Sequence, residues 1–290
     1  MAYGLIEAGG TKFVLGVADA AGKIVARHRI PTTTPAETLG AATGWLAAQG
    51  HDYRAIGIAS FGPLDLDPSS PGHGCLRATP KPHWAGADLF APFAAAFGCP
   101  VALDTDVNGA ALAEARWGAG KGQDSLLYLT IGTGVGGGFV AQGRLLHGLS
   151  HPEMGHIRLP RHPDDAGFAG ACPFHGDCLE GLAAGPAIIA RWGKSLSELA
   201  ADHPAHAMIA WYLGRACATF QAVMEPARIV LGGGVMGAPG LFERVRVETA
   251  AAGGGYFLGK ADEIVVPPGL GGDAGLLGAL ALAQDRLALA

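Results

Sequence analysis

Residues 126–138 read Leu-Leu-Tyr-Leu-Thr-Ile-Gly-Thr-Gly-Val-Gly-Gly-Gly, an apolar run that ends in a glycine-rich turn. Such a run predicts a buried strand followed by backbone N–H groups that no side chain covers. The chain opens in the same way, because the apolar Leu5–Glu7 leads into the turn Ala8–Thr11 and then into Phe13–Ala18. Each copy continues as strand, turn and strand, so the sequence predicts an internal structural repeat. Two unrelated hairpins are the alternative interpretation.

Outside the repeated segments, strand patterns alternate with helix patterns. This alternation predicts an α/β fold. The small, polar stretch Gly118–Asp124 separates the two copies of the repeat, and we interpret it as a domain junction. Further strands are expected at Lys23–Ile30, Ala55–Ser60, Pro100–Asp104, Arg144–Leu146, Arg228–Leu231 and Ile264–Pro267, and helices at Pro35–Gln49, Val107–Trp117, 203–225 and Asp273–Leu289.

The composition excludes several classes of protein. Glycine makes up 47 of 290 residues, but 49% hydrophobic and 16% charged residues predict a compact chain and not a disordered one. The net charge of −5 and the lack of a dense Lys/Arg run predict no nucleic-acid partner. No apolar run reaches the ~18 residues of a membrane span, and no secretory signal is visible. The five cysteines are odd in number and unevenly spaced, which is a poor disulfide framework. We therefore expect the protein to be located in the reducing cytoplasm.

Three glycine turns follow apolar runs, at Gly9-Gly10-Thr11, Gly132–Gly136 and Gly232–Gly234. Uncovered backbone N–H groups can cradle phosphate oxygens, and Lys12 could add a positive charge to the first turn. None of the three fits the Walker or the Rossmann fingerprint. A single glycine turn is usually only a turn, so the indication of phosphate binding comes from their number.

The sequence Asp104-Thr-Asp-Val-Asn108 lies between a predicted strand and a predicted helix. Carboxylates at the carboxyl end of a strand face the crevice where α/β proteins bind ligands, and one of them could be a general base. Helix capping is the alternative, because Asp is a favoured cap, and we expect one of the two aspartates to cap the helix.

The segment Cys172-Pro-Phe-His175-Gly-Asp-Cys178 contains three metal-competent side chains with two residues between neighbours, and His156 lies upstream. Two thiolates and two imidazoles form a closed tetrahedral zinc site of the structural type. An unconnected set of His and Cys in a loop is the alternative. A zinc knuckle would hold Glu153 and Glu180 rigidly, where both could hydrogen-bond a hydroxylated ligand.

Taken together, these motifs resemble the ROK family of sugar kinases, in order and over nearly the whole chain. Within that family, Thr79-Pro-Lys-Pro-His-Trp84 and the Cys-x-x-His-x-x-Cys knuckle resemble the zinc-containing bacterial fructokinases. The motifs that carry the resemblance are Glu7–Lys12, Phe61–Asp65, Asp104–Asn108, Gly132–Gly138, His151–His156, Cys172–Glu180 and Leu231–Val235.

The resemblance implies an actin/hexokinase-like fold with two RNase-H-like lobes and a hinge. We expect a small lobe over residues 1–117, joined by the C-terminal helix 273–290, and a large lobe over 118–272 that contains the knuckle. The implied catalytic base is Asp106. The implied sugar contacts are Gly62, Thr105, Asp106, Glu153, His156 and Glu180; the nucleotide contacts are Gly9, Gly10, Thr11, Lys12, Gly132, Thr133, Gly134, Pro186, Gly233 and Gly234; and the zinc ligands are His156, Cys172, His175 and Cys178.

Two positions depart from the common family pattern, namely Glu7 and Thr105, where most members have Asp and Asn. These two departures weaken the inference that the chain is specific for glucose more than they weaken the inference that it is a kinase. The resemblance therefore predicts a cytoplasmic fructokinase of carbohydrate metabolism that uses MgATP and structural zinc, phosphorylates fructose at O6, touches no membrane and forms a homodimer. Alternatives are a mannokinase, a glucokinase, an aminosugar kinase or a non-catalytic sugar-sensing protein. The regulatory relatives carry an N-terminal DNA-binding extension, for which the position of Glu7 leaves no room.

Overall fold

A computed structural model describes residues 1–79 and 81–288 of the chain. Pro80, within the predicted Thr79–Trp84 motif, and residues 289 and 290, at the end of the predicted helix 273–290, lie outside the described residues. Two compact units are present, and their boundaries lie near the predicted lobe boundaries of 117/118 and 272/273. Met1–Ala113, Leu145–His151 and Leu270–Ala290 form the first unit, and Glu114–Arg144 and Pro152–Gly269 form the second. The inclusion of Leu145–His151 in the first unit is a feature that the sequence did not predict.

Ten strands and nine helices are assigned in residues 1–79 and 81–288. The strands are β1 Ala2–Ala8, β2 Lys12–Ala18, β3 Ile24–Pro31, β4 Tyr53–Ser60, β5 Val101–Thr105, β6 Ser125–Ile131, β7 Val135–Ala141, β8 Arg144–Leu145, β9 Arg228–Gly232 and β10 Val265–Val266. The helices are α1 Pro35–Ala48, α2 Ala91–Phe97, α3 Asp106–Trp117, α4 Leu179–Ala183, α5 Gly185–Trp192, α6 Pro204–Met224, α7 Leu241–Gly253, α8 Ala261–Ile264 and α9 Ala274–Ala288.

The two units contain sheets of the same topology. The first sheet has the order β3-β2-β1-β4-β5 and the second the order β8-β7-β6-β9-β10, read from the equivalent edge. In both, the central strand pairs antiparallel with the next strand in sequence and parallel with a later one. The predicted internal repeat is therefore confirmed, and the alternative of two unrelated hairpins is wrong.

In the first unit, α9 packs directly against the sheet. A side chain at Gly57 of β4 would run into the backbone of Ala279, and Gly109 of α3 faces Gly278 of α9 in the same way. Glycine at these positions allows the helix backbone to approach the strand and the other helix closely. On the first sheet, Trp84 is fully buried and packs against the ring of Phe13 at 5.6 Å.

The core of the second unit lies around the long helix α6. Its buried side chains include Ile209, Leu213 and Phe220, and they join Leu129 and Leu231 of the sheet in one apolar cluster. A side chain at Gly214 would run into α7, so this glycine allows α6 and α7 to pack closely. The second unit can thus bury a core of its own.

Sequence patterns misjudged several element boundaries and missed some short elements. We expected a turn over Gly132–Gly138, but β7 begins at Val135, because Gly136 and Gly138 pair with Thr130 and Tyr128 of β6. The helix α7 was not predicted; it begins after Gly240 in the left-handed conformation with no side-chain cap, so its start lacks the usual signal. In the described ranges, no helix has both the length and the apolar composition that crossing a bilayer requires.

Candidate active site

The predicted site residues divide into two groups, one in each unit, and the geometry of each group is described separately. The first group contains the turn between β1 and β2, Gly62, and the turn from β5 to α3. The second contains the turn between β6 and β7, the zinc cluster, Pro186 and the turn after β9.

The first glycine turn is fixed by backbone hydrogen bonds. The Gly9 N–H donates to the Lys12 carbonyl at 3.0 Å, and the Thr32 hydroxyl donates to the Gly9 carbonyl at 2.7 Å. A Cβ at Gly9 would lie 2.8 Å from the Lys12 carbonyl oxygen, whereas nothing lies within 4 Å of the corresponding position at Gly10. The turn therefore requires glycine at position 9 and leaves open space beside Gly10, as a phosphate-binding turn would.

Glu7 lies at the carboxyl end of β1, immediately before this turn. Burial raises the pKa of its carboxyl group, while the charges of Lys12 and Arg29 act in the opposite direction. Gly275, in the first turn of α9, faces the carboxyl group so closely that a side chain there would collide with it. The glycine at 275 provides the room that this Glu occupies.

The turn from β5 to α3 is held by the buried side chain of Asp104. Its Oδ1 accepts hydrogen bonds from the Thr105 N–H and from Asn108 Nδ2, both at 2.7 Å. The Thr105 hydroxyl accepts a hydrogen bond from the Asn108 N–H at 3.2 Å and so caps α3. We expected an aspartate as the cap, and that expectation was wrong.

Asp106 is the first residue of α3 and is partly exposed. Its Oδ1 accepts a hydrogen bond from the Val107 N–H at 2.9 Å, which orients the carboxylate. A partly exposed, oriented carboxylate at the carboxyl end of a strand suits a general base. Thr105, by contrast, is buried at 4% exposure, so its predicted role as a sugar contact stays a prediction.

In the second unit, the three predicted nucleotide segments lie together at the carboxyl ends of β6 and β9. The Gly185 N–H, directly before Pro186, donates to the Gly132 carbonyl at 2.8 Å. Gly233 has a φ of +91° and lies so close to the Ile131 backbone that no side chain would fit. The structure thus places Gly132, Pro186 and Gly233 in one neighbourhood, which the sequence had linked only through family resemblance.

Glu180 connects this neighbourhood to the zinc cluster. It lies in the first turn of α4, two residues after Cys178, and its Oε2 accepts a hydrogen bond from the Val135 N–H at 3.0 Å. A Cβ at Gly134 would lie 2.6 Å from the same oxygen. No local sequence pattern predicted this contact, because the partners lie 45 positions apart.

Four side chains in the second unit form a compact donor set. The ligand atoms of His156, Cys172, His175 and Cys178 all lie within 4.8 Å of one another. His156 Nδ1 is 3.5 Å from the Cys178 sulfur and 3.8 Å from the Cys172 sulfur, and His175 Nδ1 is also 3.8 Å from the latter. Tetrahedral zinc with Zn–S and Zn–N bonds of about 2.3 and 2.0 Å would separate sulfur and nitrogen by about 3.5 Å. The donor set therefore fits a structural zinc ion.

Zinc binding would change the protonation state of the cluster. Burial raises the pKa of the Cys178 thiol, and the neighbouring Cys172 and Glu180 raise it further. A zinc ion would offset that cost and bind the thiolate form. An antiparallel bridge between Arg158 and Cys178 brings the segment after His156 beside the knuckle, which explains how a ligand 16 positions upstream of Cys172 joins it.

His156 presents two different nitrogens. Nδ1 faces the thiols, and Nε2 lies on the opposite side of the ring, 3.9 Å from Glu153 Oε2. When Nδ1 binds zinc, Nε2 carries the ring proton and becomes a hydrogen-bond donor. The structure therefore gives one side chain the geometry for both of its predicted roles, as zinc ligand and as sugar contact.

A buried ion pair fixes the loop that connects His156 to the knuckle. Asp165 and Arg191 are almost fully buried, and Arg191 donates to both Asp165 oxygens at 2.9 and 2.7 Å. The Tyr212 hydroxyl donates to Asp165 at 2.7 Å, and the pKa of this carboxyl is held low by Arg191 and Tyr212 against the opposing effect of burial. The sequence indicated none of these partners.

Gly134→Ala should weaken the predicted sugar site by displacing Glu180. The new methyl group would displace the carboxylate from the Val135 N–H, and we expect kcat/KM for the hexose to fall roughly tenfold, as for misplacement of a positioning group. Gly44→Ala in α1 is the matched control, because nothing lies within 4 Å of its added Cβ. Unchanged hexose kinetics in Gly134→Ala would show that Glu180 does not need its contact with this turn.

Comparisons with known proteins agree with this arrangement. A model of the ROK family matches residues 3–286. The fructokinase of Zymomonas mobilis is 52% identical over 97% of this chain and 96% of its own length. The structure of a ROK hexokinase from Thermus thermophilus aligns with a TM-score of 0.80 at 32% identity and covers 100% of both chains. A Streptomyces griseus ROK glucokinase in complex with glucose and AMPPNP aligns with a TM-score of 0.76 at 27% identity, over 98% of this chain and 100% of that chain.

These findings confirm the predicted actin/hexokinase-like fold, in which the same sheet topology occurs twice. They also agree with the motifs, since the family match covers both glycine-turn hairpins, the Asp104–Asn108 turn and the zinc cluster. The chain belongs to the ROK family.

Proposed function

We propose that this protein is an ATP-dependent fructokinase that transfers the γ-phosphoryl group of MgATP to O6 of fructose. The observation that carries the proposal is the near-complete alignment with a fructokinase at 52% identity, into which the zinc cluster and the Asp106 turn both fall. The chain is accordingly a sugar kinase, and the assignment of fructose as acceptor follows from the name of that relative.

In the proposed reaction, Asp106 accepts the proton of the sugar hydroxyl. The hydroxyl oxygen attacks the γ-phosphorus in line, and ADP leaves. The carboxylate is suited to this role because it is partly exposed and already oriented by the Val107 N–H. Phosphoryl transfer depends mainly on positioning and on neutralising the phosphate charge. Asp106 therefore supplies the base, and the other groups hold the reactants in place.

The glycine turns bind the nucleotide phosphates in this proposal. Open space lies beside the backbone at Gly10 and Gly132, since nothing lies within 4 Å of a Cβ at either position. Thr11, Lys12 and Thr133 add side-chain donors. The magnesium ion enters as part of the MgATP substrate and neutralises phosphate charge. The segments at Pro186 and Gly233-Gly234 lie around Gly132 and would flank the adenosine.

In this proposal the sugar is held by Glu153, His156 and Glu180, and Gly62 stays a predicted sugar contact. Zinc, where bound, supplies no chemistry of its own and fixes the side chains around it. Because His156 is a ligand and Glu180 lies two residues after the ligand Cys178, the ion keeps both polar groups in position.

Lobe closure about Gly118–Gly122 stays a prediction. The structure shows one side chain, Glu114, that binds the predicted hinge segment. The fully buried Glu114 accepts hydrogen bonds through Oε2 from the Ala119 N–H at 2.7 Å and the Gly269 N–H at 3.0 Å. Closure would exclude water, which otherwise competes with the sugar as acceptor. Glu114 fastens one end of the predicted hinge segment.

The test is a coupled ADP-release assay with fructose, mannose, glucose and N-acetylated sugars. We expect kcat/KM for fructose to exceed that for glucose by roughly a hundredfold, since polar groups placed for the hydroxyls of one sugar are left unpaired by an isomer that presents its hydroxyls elsewhere. A glucose rate far above the fructose rate would favour a glucokinase. A lack of ADP release with every sugar would favour the non-catalytic sugar-sensing protein.

We propose further that the enzyme acts in the reducing cytoplasm, where the thiols of Cys172 and Cys178 stay available to zinc. Both are free thiols in the structure, as are the other three cysteines. Cell fractionation with an antibody to the protein would test this location. The homodimer stays a prediction that sedimentation of the purified protein would test.

A further inference from the structure

The segment Leu145–His151 begins at the last residue of β8 and belongs to the first unit, although the chain on either side of it belongs to the second. We call it the strap. It ends immediately before the sugar-site motif that contains Glu153 and His156. Nothing in the sequence predicts where the strap lies, and the proposed mechanism gives its side chains no task.

One end of the strap is attached to the catalytic turn. His147 Nε2 lies 2.7 Å from Asp104 Oδ2, and Asp104 is buried at 4% exposure. The other oxygen of Asp104 already binds the Thr105 N–H and Asn108. His147 therefore completes the set of partners of the carboxylate that sets the conformation just before Asp106.

The other end of the strap is attached to the loop after β4. The Ser150 hydroxyl donates to the Leu64 carbonyl at 2.9 Å, and the Leu64 N–H donates to His151 Nε2 at 3.0 Å. The same imidazole ring lies 3.6 Å from where a Cβ would stand at Gly62, a predicted sugar contact. The strap thus joins two loops of the first unit that carry predicted sugar-site residues.

The strength of the hydrogen bond between His147 and Asp104 depends on the charge of the imidazole. Its hydrogen bond to Asp104 raises the pKa of the imidazole, and partial burial opposes this effect while the Asp104 charge supports it. Asp104 is the charged group that acts on His147 among the described residues. The imidazolium therefore persists above the usual histidine range, and the charge-assisted bond weakens as the pH rises through the raised pKa.

We propose that His147 is a positioning residue for phosphoryl transfer, which holds the Asp104 carboxylate and through it the Thr105–Asp106 turn in the geometry for proton acceptance. The proposal rests on the proposed function, because it assigns a consequence to the base Asp106. His147 itself touches neither sugar nor nucleotide in this role. It acts on kcat through the placement of Asp106.

Three variants test this role, each assayed for hexose-dependent ADP release from pH 5.5 to 9.5. His147→Ala removes the donor, and we expect kcat to fall roughly tenfold, the scale of a misplaced reacting group. His147→Gln keeps a neutral donor, so we expect its kcat to match the value that the wild type reaches at alkaline pH. Leu149→Gln is the matched control on the same strap, because Leu149 is 99% exposed; its kcat and pH profile should equal those of the wild type.

The pH profile distinguishes positioning from a purely structural role. The bond is charge-assisted at low pH and weakens to that of a neutral imidazole as the pH rises, so the wild type should lose part of its kcat on its alkaline side. His147→Gln, whose amide does not titrate, should lack that alkaline limb. A loss of thermal stability alone would not remove the limb.

Two results would overturn the proposal, namely a His147→Ala kcat within twofold of the wild type, or an alkaline limb that persists in His147→Gln. An equal fall of kcat in Leu149→Gln would also overturn it, since disturbance of the strap would then be sufficient. These results are distinct from a failure of the proposed function, which would be seen as a wild-type protein without hexose-dependent ADP release.

Discussion

Asp106→Asn should lower kcat for fructose phosphorylation by about a thousandfold, the scale of a lost general base. The amide has nearly the size of the carboxylate and can still accept the Val107 N–H that orients the side chain. It cannot take up the proton that the sugar hydroxyl releases. Fructose binding should survive, because the substitution keeps the shape of the turn.

The measurements that check this are single-turnover kinetics for the chemical step and calorimetry for fructose binding in the presence of a non-hydrolysable nucleotide. Asp202→Asn is a matched control, because this aspartate is exposed and lies in a loop before α6. The control should keep the wild-type kcat. A near-normal turnover in Asp106→Asn would refute the assignment of Asp106 as the base, and loss of fructose binding would indicate a binding role instead.

The pattern of apolar residues and glycine turns was sufficient to predict the central strands of the fold. The apolar runs around Leu5 and Leu126 each end in glycine turns, and each becomes the central strand of a sheet with the same order of strands. The family resemblance then named Asp106 and His156. Such features are predictable because they depend on local order, namely an apolar run, a turn residue or a ligand spacing.

Contacts between residues far apart in sequence could not be predicted. Asp104 and His147 are 43 positions apart and Glu180 and Val135 are 45 apart, and no local pattern in a single sequence marks such pairs. The same holds for Gly275, whose missing side chain makes room for Glu7. In each case the partner is chosen by the packing of the unit, so it becomes visible only when the backbone is in place.

Thr105 was correctly placed in the motif beside Asp106, but the sequence did not predict what its side chain does. The sequence placed it beside the base as a departure from the family pattern, and the structure shows a buried hydroxyl that caps α3. A threonine supplies this cap as an asparagine can, since both have a side-chain oxygen that accepts from the helix N–H groups. The substitution thus leaves the geometry of the catalytic turn supported.

Loss of zinc should cause the second large effect, and it should fall on the sugar more than on the nucleotide. The ion would join His156 to the knuckle formed by Cys172, His175 and Cys178, and in its absence the two segments lose their cross-link. Structural zinc contributes about 10 kcal/mol or more to the folding of small zinc domains, so the knuckle should loosen when the metal is removed. His156 and Glu180 would then lose their fixed positions together.

We therefore expect Cys178→Ser, or treatment of the wild type with a chelator, to lower kcat/KM for fructose by at least about a hundredfold. KM for ATP should change less. The first glycine turn lies in the other unit and is held by its own hydrogen bonds, and Gly132, Gly185 and Gly233 are held by backbone contacts outside the knuckle. Zinc content by mass spectrometry, melting temperature and the two KM values provide the measurements. Cys75→Ala is the control, because this thiol lies outside the donor set and its loss should leave the zinc content unchanged. A zinc-free protein with the wild-type KM for fructose would show that the ion stabilises the chain without positioning the sugar.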